Sequence, residues 1–213
     1  MRDIHRPRPS LPRLAILLTL LTCVAWAGAE TPPPPAVETG LMLVSLASSP
    51  GVYSPVKDAK KTVLAPAYVS KYGVRLFSKE EWAERRAVWA DFLAASTQVA
   101  DKIVDSLEPD FKRDTRGVID YALVEHPSPW LSSVLLSKRF LPRFEREFGQ
   151  RIHVLVIDRH RLYVFPADGS KLEGYGAALI EAYHDESISR YPVSLEVFLV
   201  DSTGFRAVGN IEE

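Results

Sequence analysis

Apolar and polar positions change their period several times along this chain, and each change marks an element. From Val37 to Phe77 the pattern is irregular, with short strands expected at Gly40–Leu46 and Gly73–Phe77. Ser49-Pro50-Gly51, Ser54-Pro55 and Pro66 interrupt it, and a proline inside Val63–Val69 allows an edge strand at most. The pattern then turns helical. Ser78 and Glu81 have the spacing of a capping box, and Trp82, Trp89, Phe92, Leu93, Val99, Ala100, Ile103, Val104 and Leu107 follow on one stripe. This predicts one helix from Lys79 to Leu107, about 40 Å long at ~1.5 Å per residue, stopped by Glu108-Pro109.

Beyond Gly117 the elements follow closely. Val118–Val124 reads as a strand. Ser128-Pro129 opens a helix carrying Trp130, Leu131, Val134, Leu135, Leu141, Phe144 and Phe148, kinked at Pro142 and ended by Gly149. Ile152–Ile157 and Leu162–Phe165 form a hairpin around Asp158–Arg161. Ser170 with Glu173 is a second capping box, opening a helix over Lys171–His184. Ser194–Val200 and Phe205–Ile211 make a last hairpin. The order β-α-β-β-α-β plus one extra C-terminal strand predicts an α+β fold of the split βαβ (ferredoxin-like) kind. Strand Val154–Ile157 is apolar on both faces, so both faces of the sheet must be covered. Two internal helices on one face would leave the long helix Lys79–Leu107 to cover the other. Residues 78–213 then form an α/β domain that takes in 37–77.

The head of the chain adds an address. Arg2, Arg6, Arg8 and Arg13 precede an apolar run over Leu14–Ala27, followed by Ala27-Gly28-Ala29, the order of a secretory signal peptide over residues 1–29. The run is short of the ~20 residues that span a bilayer, so no stable membrane span is expected after cleavage. The expected product is a periplasmic or secreted protein, starting at Glu30 with a Pro-rich linker over 30–36. Losing the head removes four arginines and one aspartate, which leaves 22 Lys+Arg against 26 Asp+Glu. That balance argues against nucleic acid as a partner. The single cysteine, Cys23, would leave with the head, and with it any disulfide, thiol nucleophile or thiolate metal ligand.

Candidate chemistry is sparse. Asp120, sharing a sheet face with Val118, Ala122 and Val124, is a carboxylate in a half-buried position; with His126 just after its strand and His153 on the next, it forms the one candidate catalytic group. A hydrogen-bonded core role for these residues is the simpler alternative. His184-Asp185-Glu186 is dense in metal-ligand types, but neighbours at a helix end point in different directions, so no metal and no cofactor is expected. Asp158, Arg159, His160 and Arg161 fit a solvent-exposed turn. Lys138, Arg139, Arg143, Arg146 and Arg151 concentrate positive charge that either complements a helix end or docks on an anionic envelope polymer or acidic partner. Ser54-Pro55-Val56-Lys57 has a Ser-x-x-Lys spacing without a Lys-Thr-Gly companion, and is set aside.

Glu173-Gly174-Tyr175-Gly176-Ala177-Ala178 puts small residues inside a helix, where close approach to the sheet would explain them. A Gly-Tyr-Gly after a strand–helix–strand–strand run resembles the exported TPM domains over part of the chain. In those domains the tripeptide ends the strand, whereas here Phe165 ends it well before Gly174, so no function is carried across. Three readings follow. The first is a non-catalytic exported domain that binds a protein or an envelope component. The second is a hydrolase or metal-dependent enzyme using Asp120, His126 and His153. The third is a small-ligand binder with a groove between the long helix and the sheet, lined by Trp82, Trp89 or Tyr121.

Overall fold

The structure is a computed structural model that describes residues 38–168 and 171–212. The expected signal peptide and Pro-rich linker, and the Ser170 cap, lie outside the described residues. The chain is mixed α and β, as expected, with two antiparallel sheets.

The region read as irregular with short strands builds the first sheet, and the strands expected at Gly40–Leu46 and Gly73–Phe77 are both part of it. β1 (Thr39–Ser45) pairs along its whole length with β3 (Thr62–Ser70). The other side of β3 carries β2 (Ser54–Pro55) near its start and β4 (Gly73–Leu76) near its end. Pro66 therefore sits in the central strand, against the edge-strand expectation. The reason is geometric. Toward β1 the donors alternate, and Val69 N–H gives its bond to the Glu38 carbonyl at 2.8 Å. Pro66 thus turns its missing N–H the other way, into the gap between β2 and β4, where only its carbonyl is used, by Phe77 N–H at 3.1 Å.

The outer edge of β1 is sealed by two buried serines. Leu41 N–H donates to Ser96 Oγ at 2.7 Å and Leu43 N–H to Ser132 Oγ at 3.0 Å. These bonds occupy the donors an edge strand would otherwise leave open. Gly40 suits this edge because a Cβ there would stand 3.2 Å from the Trp130 ring, closer than ordinary contact. That indole is itself buried and donates to Glu38 Oε1 at 2.7 Å.

The expected long helix is broken in two. α1 (Lys79–Glu84) carries the capping box as read, with Glu81 N–H on Ser78 Oγ at 3.1 Å and Ser78 N–H on Glu81 Oε2 at 2.9 Å. α2 runs from Trp89 to Ser106. Between them Arg86 adopts φ +50°, a left-handed conformation. On a continuous helix Trp82 and Trp89 would be separated by about 10 Å of rise. The break brings their rings to 5.9 Å and sets Trp82 4.8 Å from Phe92 and 5.9 Å from Phe77. Aromatic packing thus outranks local helix propensity.

The segment expected as a second helix, 128–149, is instead a series of tight turns. It consists of 3₁₀ helices at Leu131–Leu136 and Leu141–Arg143 and a single turn, α3 (Glu145–Phe148). Serines divert the backbone. Ser128 Oγ accepts from Trp130 N–H at 3.2 Å, Ser133 Oγ donates to the Trp130 carbonyl at 2.7 Å, and Ser137 Oγ accepts from Arg139 N–H at 3.1 Å. Pro142 removes a further donor.

The second sheet has six strands: β5 (Asp110–Arg113), β6 (Ile119–Glu125), β7 (Ile152–Asp158), β8 (Arg161–Pro166), β9 (Glu196–Asp201) and β10 (Gly204–Asn210). Their order is β10-β9-β7-β8-β6-β5 with every neighbour antiparallel. A ferredoxin-like sheet would seat β9 beside β6; here it pairs with β7, so the expected topology does not hold as read. β6 and β7 do run the same way with β8 between them, as the split arrangement requires.

The layers also differ from expectation. Strand β7 is buried on both faces, as read. One face, through Ala122, Val124, Val154, Val164 and Phe198, shares a core with the first sheet, α2 and the 131–148 turns. The other, through Leu155, Ile157, Phe165 and Val197, packs on α4 (Gly176–His184). The two internal helical segments thus lie on opposite faces, and α2 rests chiefly on β1 and Leu131–Leu136. No helix among the described residues is long and apolar enough to cross a membrane.

Candidate functional site

Asp120, His126 and His153 do not converge. Asp120 stands near the start of β6 and His126 just past its end, six residues on, or about 20 Å along an extended strand. His153 lies on β7 between Phe165 and Leu199. The geometry a hydrolytic site would need, with all three in hydrogen-bond reach, is not there.

Each of the three has a local role instead. Asp120 is buried, but not on the face of Ala122 and Val124 expected for it: the β5–β6 register skips it, and its carboxylate turns to the α4 side, where it receives an ion pair from Lys171 Nζ and a 2.8 Å hydrogen bond from the Tyr175 hydroxyl. Lys171 also reaches Asp114 Oδ2 at 3.7 Å. Asp114 closes the β5–β6 turn by accepting from the Val118 and Arg116 N–H groups, both at 2.9 Å. These contacts tie the N-terminal approach of α4 to the start of β6. Their electrostatics oppose proton transfer. The Lys171 ammonium, then the Tyr175 hydroxyl, hold the Asp120 carboxyl below its ordinary range. The carboxylate in turn pushes the Tyr175 phenol up to about 12. Neither group is poised as an acid or base near neutrality.

His126 accepts from Ser128 N–H at Nδ1 (3.0 Å), so its Nε2 carries the proton and faces Ser106 Oγ at 3.2 Å. The ring thus fastens the end of α2 to the end of β6. Burial, then the neighbouring His160, lowers its pKa. Burial does the same to His153.

The hairpin Asp158–Arg161 departs from its expected exposure. Asp158 is buried, accepting from His160 N–H at 2.8 Å and Tyr191 N–H at 2.6 Å. It holds Tyr191 beside the hairpin. The Tyr191 ring, 41% exposed, has the Arg159 guanidinium 4.6 Å and the Arg190 guanidinium 5.7 Å from its centre, with the His160 ring at 6.0 Å. A groove of about 780 Å³ runs on from Arg190 past Pro192, Ser189, Ser187 and His184. Asp185 bonds Ser187 (2.8 Å) and His184 lies 3.9 Å from Glu212; among the described residues no group of three potential ligands could hold a metal ion.

Other expectations resolve plainly. The basic cluster of 138–151 is largely engaged: Arg139 pairs with Asp105, Arg143 donates to the Leu107 carbonyl at 2.7 Å, and Arg151 meets Asp168 at 3.9 Å. Trp82 and Trp89 belong to one aromatic cluster, whereas Tyr121 packs on Tyr163, Phe165 and Tyr175 in another, so no common groove joins them. Gly174 and Gly176 face open space, not a closely approaching sheet, and mark the junction between a 3₁₀ turn (Leu172–Tyr175) and α4.

Residues passed over in the sequence prove informative. Tyr191 and Arg190 follow a helix with no periodic signal, and Glu196 reads as an ordinary strand position. Glu196 is 3% exposed and accepts at Oε1 from the Lys60 and Lys61 N–H groups, at 2.6 and 3.0 Å. A carboxylate interrupting the apolar run Leu195–Val200 was the one available signal. Comparison with protein-family models, with curated proteins and with solved structures finds no match to this chain.

Proposed function

We propose that this chain is an exported, non-catalytic binding domain, and that it engages an anionic protein or envelope polymer through the Arg159–Arg190–Tyr191 patch. The observation that carries the reading is the exposed Tyr191 ring with two guanidiniums within 6 Å of its centre, tied to the 158–161 hairpin by buried Asp158. Tyr and Arg are the side chains that dominate binding energy at interfaces, and a pre-ordered ring loses little entropy when it is covered. The arginine-led head and small-residue cleavage site support export.

The formal net charge of the chain is −1, so it has no general attraction for an anionic polymer. Binding to polyaspartate, followed by titration calorimetry, therefore reports the patch. The expected result is saturable binding that weakens as salt is raised and is lost in Arg159→Ala/Arg190→Ala. Equal binding by that variant would refute the patch.

A further inference from the structure

The three buried side-chain atoms without a hydrogen-bond partner among the described residues fall in one neighbourhood: Glu196 Oε2, Asn210 Nδ2 and Thr62 Oγ1. Glu196 and Asn210 are directly paired across β9 and β10, and Thr62 follows Lys61, whose N–H binds the other Glu196 oxygen. Glu196 and Asn210 line a cavity of about 350 Å³ at the seam between the two sheets, with Asp58, Lys60, Lys61 and Arg206 around it. An unpaired polar atom in such a place costs about 1–3 kcal/mol, so the two that belong to the cavity lining, on Glu196 and Asn210, call for an explanation.

The chemistry of the orphans selects their partner. Glu196 Oε2 only accepts, and Asn210 offers its N–H₂ because its Oδ1 already takes the Glu212 N–H at 3.0 Å. A metal ion or ammonium would face that amide nitrogen, and an anion would face Glu196. Lys61 and Arg206 are matched by Glu212 at 3.1 Å and Asp201 at 3.0 Å. A hydroxyl donates and accepts at once. Cross-strand partners lie about 5 Å apart at Cβ, so one hydroxyl can bridge both side chains. We propose that this seam cavity binds a small uncharged polyol or sugar, one hydroxyl of which donates to Glu196 Oε2 and accepts from Asn210 Nδ2.

Titration of the isotope-labelled full chain with D-glucose, followed by nuclear magnetic resonance, tests this. The Asn210 side-chain amide and the Lys60 and Lys61 backbone amides should shift saturably. Glu196→Gln keeps an acceptor for those two N–H groups but replaces the free oxygen with a donor, and should weaken binding about tenfold or more. Asn210→Asp makes the converse change and serves if Glu196→Gln does not fold. Arg159→Ala/Arg190→Ala should bind glucose unchanged, which separates this site from the patch. No saturable shift at these amides, undiminished binding by both variants, or a response to ethylammonium in place of glucose would overturn the proposal.

Discussion

The two faces of the six-stranded sheet are covered in different ways. One lies under a broad layer made of the first sheet, α2 and the 131–148 turns, and its core is hydrocarbon and aromatic, with Trp130, Phe140, Phe144 and Phe198 almost wholly enclosed. The other lies under α4, and its apolar residues Leu155, Ile157, Phe165, Leu179 and Val197 are ringed by Tyr121, Tyr163, Tyr175 and Tyr183. A broad cover excludes water by area alone. A narrow one must be sealed at its margin, and here the seal is polar: Lys171 and Tyr175 on Asp120. Asp120 therefore marks the edge of a thin layer.

The largest effects should come from the broad face. Trp130→Ala removes a buried indole and its bond to Glu38, and should cost about 3–5 kcal/mol in denaturant unfolding. Leu179→Ala under α4 should cost about 2 kcal/mol, because a thin cover can settle into the space. Equal losses would erase the distinction between the faces.

Acid should act next. An unfolded imidazole takes its proton near 6.5, whereas the half-buried His126 and His153 take theirs only at lower pH. In between, protons bind the unfolded chain preferentially, so melting temperature should fall as pH drops below about 6.5. A second fall should follow between about pH 4 and 2, as Asp114 and Asp201, both held at about 2, are protonated. Backbone N–H groups led by Val118 hold the first, and the Thr203 hydroxyl the second. His126→Gln should flatten the upper phase; if the pH profile of this variant matches the wild type, the tie between α2 and β6 contributes nothing.

A smaller effect is spectroscopic. In Asp120→Asn the Tyr175 phenol should titrate closer to 10 than to 12, seen as earlier phenolate absorbance. An unmoved titration would mean the hydrogen bond does not form in solution.

Much of this architecture was legible from pattern. Strands β6 to β9, the final hairpin and the Ser78–Glu81 box follow from alternation and from cap chemistry that acts within a few residues. The break at Arg86 was hidden because no glycine or proline marks it; rings at Phe77 and Phe92 impose it. β5 escaped notice because Asp110-Phe-Lys-Arg113 is an exposed edge with one apolar residue. Strand order escaped for a deeper reason: the pairing of β9 with β7 instead of β6 is a long-range choice that no local signal encodes. Asp120 reads as a partly buried carboxylate, but its partners Lys171 and Tyr175 lie some fifty residues away. The Glu196 site is more remote still, its amides coming from Lys60 and Lys61 across the seam.

The claim that Asp120 serves as a seal is tested most directly by a thermal double-mutant cycle on Asp120→Asn and Lys171→Met. Each single variant should melt below the wild type, and the double variant should lose little more than the worse single one, since either change breaks the same tie. An Asp120→Asn variant that melts at or above the wild type would contradict it, because that is the behaviour of a carboxylate held against stability for chemistry.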